Sequence, residues 1–409
     1  MDHNMHPIPL LSIVIPTRNR VSYAISAIQS IVEISDPRLE LVVQDNSDNR
    51  DLEKWLQTNI NDSRLCYHYS NHPLSFIHNF NMAVELATGE YICFIGDDDG
   101  VNPKIMEAAA WAKSDNLDSL VVNNKVNYLW PGTPISFAYF TKPTAGSLSI
   151  CGFRGSLIEA DMEKEMRKFV RDGGVHYMKF KLPKLYHGLV NRRCLKAIHE
   201  KTGAYFGGLS PDIYASLAIA CVAKRVVVTD YPLTIPGACR ASSTVVEGVM
   251  KKHSKKLEDA PHLRYRGEYH WCELVPRVYS VESIWVDSGV AALRAMGRDD
   301  LVRELNLPKL AAYCMGGNRG VTWPVLRDLF AGLGIMDKSC IIGAIQVAWN
   351  LLINSAIRFT RRVWNRFLMI IGVRDVCNIH DLDNMVEASH ALTCYLKENG
   401  HSFSGCVRR

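Results

Sequence analysis

Hydrophobic and polar positions in the first hundred residues alternate between two patterns. Leu10-Leu11-Ser12-Ile13-Val14-Ile15 is a continuous apolar, β-prone run stopped by Pro16. Runs of this kind are strands buried on both faces, as in a parallel sheet. A helical period follows through Ala24, Ile25, Ile28, Ile31 and Val32 and stops near Asp36-Pro37. Leu39–Val43 predicts a second buried strand, 50–60 a helix, and Leu65–Tyr69 a short strand. Residues 76–87 predict a helix closed by Gly89 at its C′ position, and Tyr91–Ile95 a further buried strand. Strands and helices alternating at this spacing predict an α/β domain, a mostly parallel sheet with helices on both faces.

Beyond residue 100 the pattern thins. Leu120–Val122 predicts a strand, Pro131 to Pro143 a loop, and Ile158–Val170 a helix. Ser210-Pro211-Asp212 opens a helix over 212–223, with serine at the N-cap and proline at the first helical position. Val226–Thr229 predicts a strand, Pro232–Ser243 a loop, and the chain from 244 onward is chiefly helical. The expected organisation is a core domain over 1–240 with halves at about 1–120 and 121–240. A helical extension over 241–335 and a helical C-terminal region over 336–409 complete it.

Ligand sites in such sheets lie beyond the carboxyl ends of the strands. Three polar clusters, at 17–20, 45–48 and 97–99, fall at those ends. Asp97, Asp98 and Asp99 follow a buried strand directly, and Gly100 permits a sharp turn. Their oxygens suit a hard cation, Mg²⁺ or Mn²⁺, of the kind that neutralises a diphosphate. A solvated acidic turn is the plainer reading. Three adjacent carboxylates repel one another, so a cation is expected close by. Asp45 can accept from a nucleobase or a ribose hydroxyl, or make an Asx-turn. Arg18 and Arg20 offer guanidinium forks suited to phosphate.

These stretches together resemble a known family. Ser12-Ile13-Val14-Ile15-Pro16-Thr17-Arg18-Asn19-Arg20, Leu41-Val42-Val43-Gln44-Asp45-Asn46-Ser47, and Asn81 ahead of Ala87-Thr88-Gly89-Glu90-Tyr91-Ile92 and the aspartates are similar to family 2 of the GT-A glycosyltransferases. The likeness is strong over about the first 110 residues and weaker to about 245. It implies the GT-A fold and an inverting transfer of a sugar from a nucleotide-diphosphate donor, by default UDP-linked. The acceptor it implies is a hydroxyl of a glycan or polyprenyl-linked glycan, as in O-antigen or capsule synthesis.

By resemblance, Asp45 contacts the donor base, Asp98 and Asp99 form the DxD-type element, and Asp99 holds the metal with Asp97. Pro16, Thr17, Arg18, Arg20, Asn81, Asp97, Asp98, Arg240 and Ser243 line the donor. The first acid of the commonest family pattern falls here on Gly96. Asp212 occupies the slot of the family's general base, with Pro211 replacing the usual glutamate. A carboxylate beside an acceptor hydroxyl is an ordinary device for proton transfer. The helix macrodipole alone also favours an acid there, and would lower its pKa. Arg240-Ala241-Ser242-Ser243 resembles the loop that follows the base. His253, within Lys251-Lys252-His253-Ser254-Lys255-Lys256, is a candidate metal or phosphate ligand, or part of an exposed helix face. The Gln-x-x-Arg-Trp motif of processive members is absent, so one sugar or a short defined number is expected.

Composition narrows the alternatives. The chain has 409 residues, 47% hydrophobic and 22% charged, an ordinary globular balance. A net charge of +5 is too small to argue for nucleic acid. Twelve cysteines form no CxxC pair and sit mostly in apolar runs, such as Cys93, Cys221 and Cys340, as in a reducing compartment. The segment MDHNMHPIPLL shows no signal-peptide pattern, so a cytoplasmic location is expected. Pro-Thr-Arg-Asn-Arg after the first strand is not the glycine-rich loop of a nucleotidyltransferase, and no GxGxxG of a dehydrogenase occurs. A catalytically inactive glycan-binding or scaffolding subunit is the non-enzyme alternative, against which the three strand-end acids argue.

The C-terminal region adds one feature. Cys340 to Ile357 carries no charge, yet Gln346, Asn350, Asn354, Arg358, Arg362 and Arg366 recur every four residues. The stripe is polar and then basic, and Trp349 and Trp364 lie beside it. Such a helix suits an anionic membrane surface, which predicts peripheral attachment at the inner face of the cell membrane. Packing against the core is its alternative.

Overall fold

The buried apolar runs near the N-terminus become adjacent parallel strands. In the computed structural model, which describes residues 8–134, 144–242, 257, 261–317, 347–353, 356, 360 and 376–407, the strands in chain order are β1 (Leu11–Thr17), β2 (Leu39–Asp45), β3 (Leu65–Tyr69), β4 (Tyr91–Phe94) and β5 (Gly100–Val101). They continue with β6 (Ser119–Val122), β7 (Val126–Leu129), β8 (Ser147–Cys151), β9 (Leu157–Glu159), β10 (Leu189–Asn191) and β11 (Val226–Thr229). Last come β12 (Thr234–Ile235), β13 (Gly237–Ala238) and β14 (Val376–Ile379). The helices up to residue 222 are α1 (Val21–Val32), α2 (Asp51–Asn59), α3 (Phe76–Glu85), α4 (Ile105–Ser114), α5 (Met162–Arg171), α6 (Arg192–Thr202) and α7 (Pro211–Val222). Among the described residues, eight form one sheet in the order β3-β2-β1-β4-β10-β6-β11-β9. β1 pairs in parallel with β2 and with β4, and β2 with β3. The register sets Thr17 opposite Asp45, so both polar clusters end at the same edge.

Two apolar clusters cover the faces of this sheet. Val14, Val42, Ile92 and Phe94 point to one, with α3 (Phe76–Glu85) and α7 (Pro211–Val222). Ile13, Ile15, Leu41 and Val43 point to the other, with α1 (Val21–Val32). The period-2 alternation of a strand buried on both sides produces this division. The doubly covered α/β sheet is therefore as expected.

Several local expectations are corrected. The expected helix over 158–170 begins later, at Met162, because Leu157–Glu159 adds as β9, antiparallel to β11. Gly89 is not the cap of its helix, which ends with Leu86 at the C-cap position. Gly89 is small for another reason: a Cβ there would lie 2.5 Å from Ser12 Oγ and 2.7 Å from the Ser12 nitrogen. Ser210 stands at the N-cap of α7, but its side chain makes no capping bond.

The C-terminal region, helical as expected, also adds a strand and packs on the core. β14 pairs antiparallel with β8, and the helix Met385–Glu398 packs on α1. Met385, Ala388, Leu392 and Leu396 join the apolar cluster that contains β1 and β2. The Met385 amide donates to Ser26 Oγ at 2.8 Å, and Ser389 Oγ donates to the Val101 carbonyl at 3.2 Å. Of the expected basic stripe only Asn350 is described; Gln346, Asn354, Arg358, Arg362 and Arg366 lie outside the described residues. Within 347–353, Val347 and Leu351 pack against Ala311 and Ala312, while Trp349 and Leu352 are exposed. Among the described residues no helix is long and apolar enough to cross a membrane.

Met385 is fully buried against Gly100, far along the chain from the residues it covers. Met385→Ala is expected to lower the stability of the whole domain by about 2–5 kcal/mol. Urea unfolding read by tryptophan fluorescence checks this. A dispensable tail would show no shift in the main transition.

Candidate active site

Burying three consecutive aspartates requires compensation for each, and the structure supplies it in two ways. Relative exposures are only 3%, 5% and 3% for Asp97, Asp98 and Asp99. The cation anticipated from their repulsion is Arg20, which enters from the end of β1. Its NH1 lies 2.7 Å from Asp97 Oδ1 and its NH2 2.8 Å from Asp98 Oδ2. Thr17 Oγ1 donates to Asp97 Oδ2 at 2.7 Å. Burial pushes the Asp97 carboxyl above its usual range, against the pull of Arg20 and with the push of Asp98. Asp98 is raised by burial and by Asp99. The Arg20 NH2 also donates to Cys239 Sγ at 2.8 Å, and Arg20 and Cys239 together pull the Asp98 carboxyl back down.

Asp99 is compensated differently. Its Oδ2 accepts from the Gly96 amide at 2.6 Å and from Tyr186 Oη at 2.9 Å, with His187 Nε2 at 3.3 Å. Its Oδ1 accepts from the Gly237 amide at 2.6 Å. Burial alone would raise this carboxyl, but His187 and the two amides outweigh it and hold it below its usual range. Gly237 must be glycine, since a Cβ would sit 1.8 Å from the Asp98 carbonyl oxygen. Trp130 Nε1 also donates to that carbonyl, at 2.8 Å.

Both oxygens of Asp99 are committed to protein donors, and so are those of Asp97, Oδ1 to Arg20 and Oδ2 to Thr17, while Asp98 Oδ2 lies 2.8 Å from Arg20 NH2. The hard carboxylate oxygens of Asp98 and Asp97, already sharing one cation, fit a divalent ion. Among the described residues no cluster of three or more His, Cys, Asp or Glu side chains is disposed to hold one. His253 and Ser243 lie outside the described residues.

The remaining candidates divide. Asp45 has no exposed surface. Its Oδ1 accepts from the Ser47 amide at 2.8 Å, an Asx-turn, and its Oδ2 from Tyr67 Oη at 2.9 Å. It shapes the turn after β2. Arg18 reaches Asp48 and Asn46, each at 3.2 Å, and lies under the Tyr265 ring, 4.8 Å from its centroid. Pro16 is buried in β1, and Arg240 is exposed beside Cys239. Asn81 lies on α3. Its Oδ1 accepts from the Tyr205 and Phe206 amides at 2.8 and 3.0 Å, so it ties α3 to the segment before α7.

Asp212 sits half-buried in the first turn of α7. The macrodipole effect expected there is overridden. Burial pushes its carboxyl up to about 6, with His187 pulling it down and Asp99 pushing it up. His187 thus stands electrostatically between two carboxylates. It holds a left-handed backbone with φ +65°, and its Nδ1 is buried without a partner. Tyr186 and His187 escaped the sequence reading. The local signal is only a Tyr-His-Gly triplet ahead of the short strand β10, and their partner Asp99 is remote in sequence.

With this geometry established, comparison with known proteins finds a family model that matches part of the chain. Residues 12–146 match the model of Glycosyl transferase family 2, about a third of the chain. A candidate colanic acid biosynthesis glycosyl transferase of Escherichia coli (strain K12), WcaA, is 35% identical over 97 residues. That match covers 23% of this chain and 34% of the relative, so the chain spans about a third of its length. Among solved structures, S. aureus TarS is 19% identical with a TM-score of 0.40, covering 59% of this chain and 38% of that one. The complex of S. aureus TarS 1–349 with UDP-GlcNAc is 15% identical with a TM-score of 0.42, covering 83% and 89% of the two chains.

Removing Arg20 leaves two buried carboxylates without their cation. Arg20→Met is expected to destabilise the fold by about 3–5 kcal/mol near neutral pH. Carboxyls raised in the folded state bind more protons there than when unfolded, so stability falls as pH rises through their folded pKa values. The deficit should therefore shrink at pH 5 and grow at pH 8. Denaturant titrations at the two pH values check it, and a pH-independent deficit would contradict the charge argument.

Proposed function

We propose that this chain, which carries a glycosyl transferase family 2 domain over residues 12–146, transfers a sugar from a nucleotide-diphosphate donor to a glycan hydroxyl in cell-surface polysaccharide synthesis, with inversion. The observation that carries the reading is the convergence of strand-end groups. Thr17, Arg20, Asp97 and Asp98 meet at the carboxyl ends of β1 and β4, and Asp212 is coupled to them through His187 and Asp99.

The roles follow from these positions. Arg18, Arg20 and Arg240 supply guanidinium groups at the edge where a donor diphosphate would lie. A divalent Mg²⁺ or Mn²⁺ ion, when bound, neutralises the diphosphate leaving group, and Asp98 with Asp97 would hold it. Asp212 accepts the proton of the acceptor hydroxyl. That oxygen bonds to the anomeric carbon as the bond to the donor phosphate breaks, and the nucleoside diphosphate departs from the opposite face. His187 orients Asp99 and tempers the charge on Asp212. A carboxyl near 6 is ionised at neutral pH yet basic enough to share a proton in the transition state. The exposed Trp349 and Leu352, together with the arginines at 358, 362 and 366, support peripheral attachment to an anionic membrane surface.

Turnover of a panel of nucleotide sugars, with UDP binding by calorimetry, tests the proposal. Asp212→Asn should reduce kcat by about 10²–10⁴-fold and leave the Kd for UDP unchanged; a wild-type rate removes Asp212 from the mechanism. The wild-type rate should climb with pH to a plateau through an apparent pKa of about 6, since only the ionised carboxylate accepts a proton. Asp98→Ala or chelation with EDTA should abolish the Mn²⁺-dependent part of UDP binding. Persistence of that dependence in Asp98→Ala would relocate the ion.

A further inference from the structure

The helix Val281–Ala295 lies outside the family-matched stretch 12–146, yet it holds the chain at the entrance to α7. The amide of an N-cap residue has no partner within its own helix. That of Ser210, the N-cap of α7, finds its acceptor in Ser288, 78 residues further on. Ser288 Oγ accepts from the Leu209 and Ser210 amides, at 2.9 Å each. All three residues are buried, so water does not compete for these donors.

The approach is close enough to dictate glycine. Gly208 has φ +61°, and a Cβ there would lie 2.6 Å from Ser288 Cβ. A Cβ on Gly289 would stand 3.0 Å from Leu217 Cδ1 of α7. The helix is anchored independently of α7. Asp287 accepts from the Cys272 amide at 2.8 Å and from Tyr269 Oη, and Ser280 with Ser283 forms a capping box at its start.

Asp212 follows Ser210 by two residues, in the first turn of α7. The titratable groups that face it are His187 and Asp99, with Tyr177 and Tyr186 close enough to sense its charge. All four belong to segments before α7. Their spacing from the Asp212 carboxyl therefore depends on where α7 begins, and two bonds to one hydroxyl fix that point.

We propose that Ser288 is a positioning residue for Asp212, setting through the Leu209 and Ser210 amides where that carboxylate stands against His187 and Asp99. The inference rests on the glycosyl-transfer reading and adds to it a residue supplied by the helical extension. Geometry at this scale matters, since a misplacement of about 1 Å can cost roughly 10²-fold in rate.

The test uses the full-length protein in metal-free buffer, labelled with ¹³C at the aspartate Cγ and titrated by NMR. Asp212→Asn identifies the resonance, and the wild-type midpoint should lie near 6. Ser288→Ala should lower it by about one unit as the carboxyl moves toward water. With metal and substrates restored, kcat should fall roughly 10- to 100-fold and UDP affinity stay unchanged. Gly208→Ala keeps the hydroxyl but forces the segment away from Ser288, and should move both readouts the same way. Ser283→Ala removes a buried hydroxyl that bonds the Val278 carbonyl, so it should lower the melting temperature and leave the midpoint in place. A midpoint unmoved in Ser288→Ala, or moved equally by Ser283→Ala, overturns the proposal. Absence of turnover by the wild-type protein with every nucleotide sugar would strike the glycosyl-transfer reading instead, and the titration would still decide whether Ser288 places Asp212.

Discussion

The ion pairing of Arg20 with Asp97 and Asp98 is the constraint around which the site is arranged. Isolated charges this deeply buried would be neutralised by proton uptake or would unfold the turn. One guanidinium at the end of β1 holds two carboxylates at the end of β4, so the parallel pairing of those strands and the chemistry at their ends are one arrangement. Trp130 and Gly237 close around the backbone of the turn, Trp130 by donating to the Asp98 carbonyl and Gly237 by fitting against it without a side chain.

Three adjacent, chemically identical residues are thereby given different properties. Asp99, saturated by amides, Tyr186 and His187, is an ionised fixture of the framework. Asp97 and Asp98 are held at raised pKa values by burial and by a neighbouring aspartate, Asp98 acting on Asp97 and Asp99 on Asp98, balanced by a single cation. Asp212 is tuned from a distance, through His187 and through its own burial. Environment, more than residue type, assigns each role.

How much of this was legible depended on distance along the chain. The strands Leu11–Thr17, Leu39–Asp45 and Tyr91–Phe94 announced themselves because burial on both faces leaves a continuous apolar run. The clusters at their ends could then be located by the rule for parallel sheets. Need for a cation near the aspartates was legible too, from repulsion alone. Its identity as Arg20, and the saturation of Asp99, were not, since the latter depends on Tyr186, His187 and Gly237 arriving from remote parts of the chain. The tie from Asn81 to the Tyr205 and Phe206 amides was not legible, because a side chain that joins two backbone segments leaves no periodic trace. β9 was hidden by its three-residue length, too short for alternation to declare itself.

The seating of the helix Met385–Glu398 on α1 bears on how the protein matures. During synthesis the first strands and α1 leave the ribosome long before the residues that cover them. Until Met385–Glu398 emerges, the apolar face of α1 stays open to water, where it can collapse wrongly or recruit a chaperone. Contacts of such long sequence separation also slow folding, because a large loop must close before they form. Completion of the sheet's covering layer is therefore tied to the synthesis of that helix, and a chain interrupted before it would leave its strand-end acids on an unfinished scaffold.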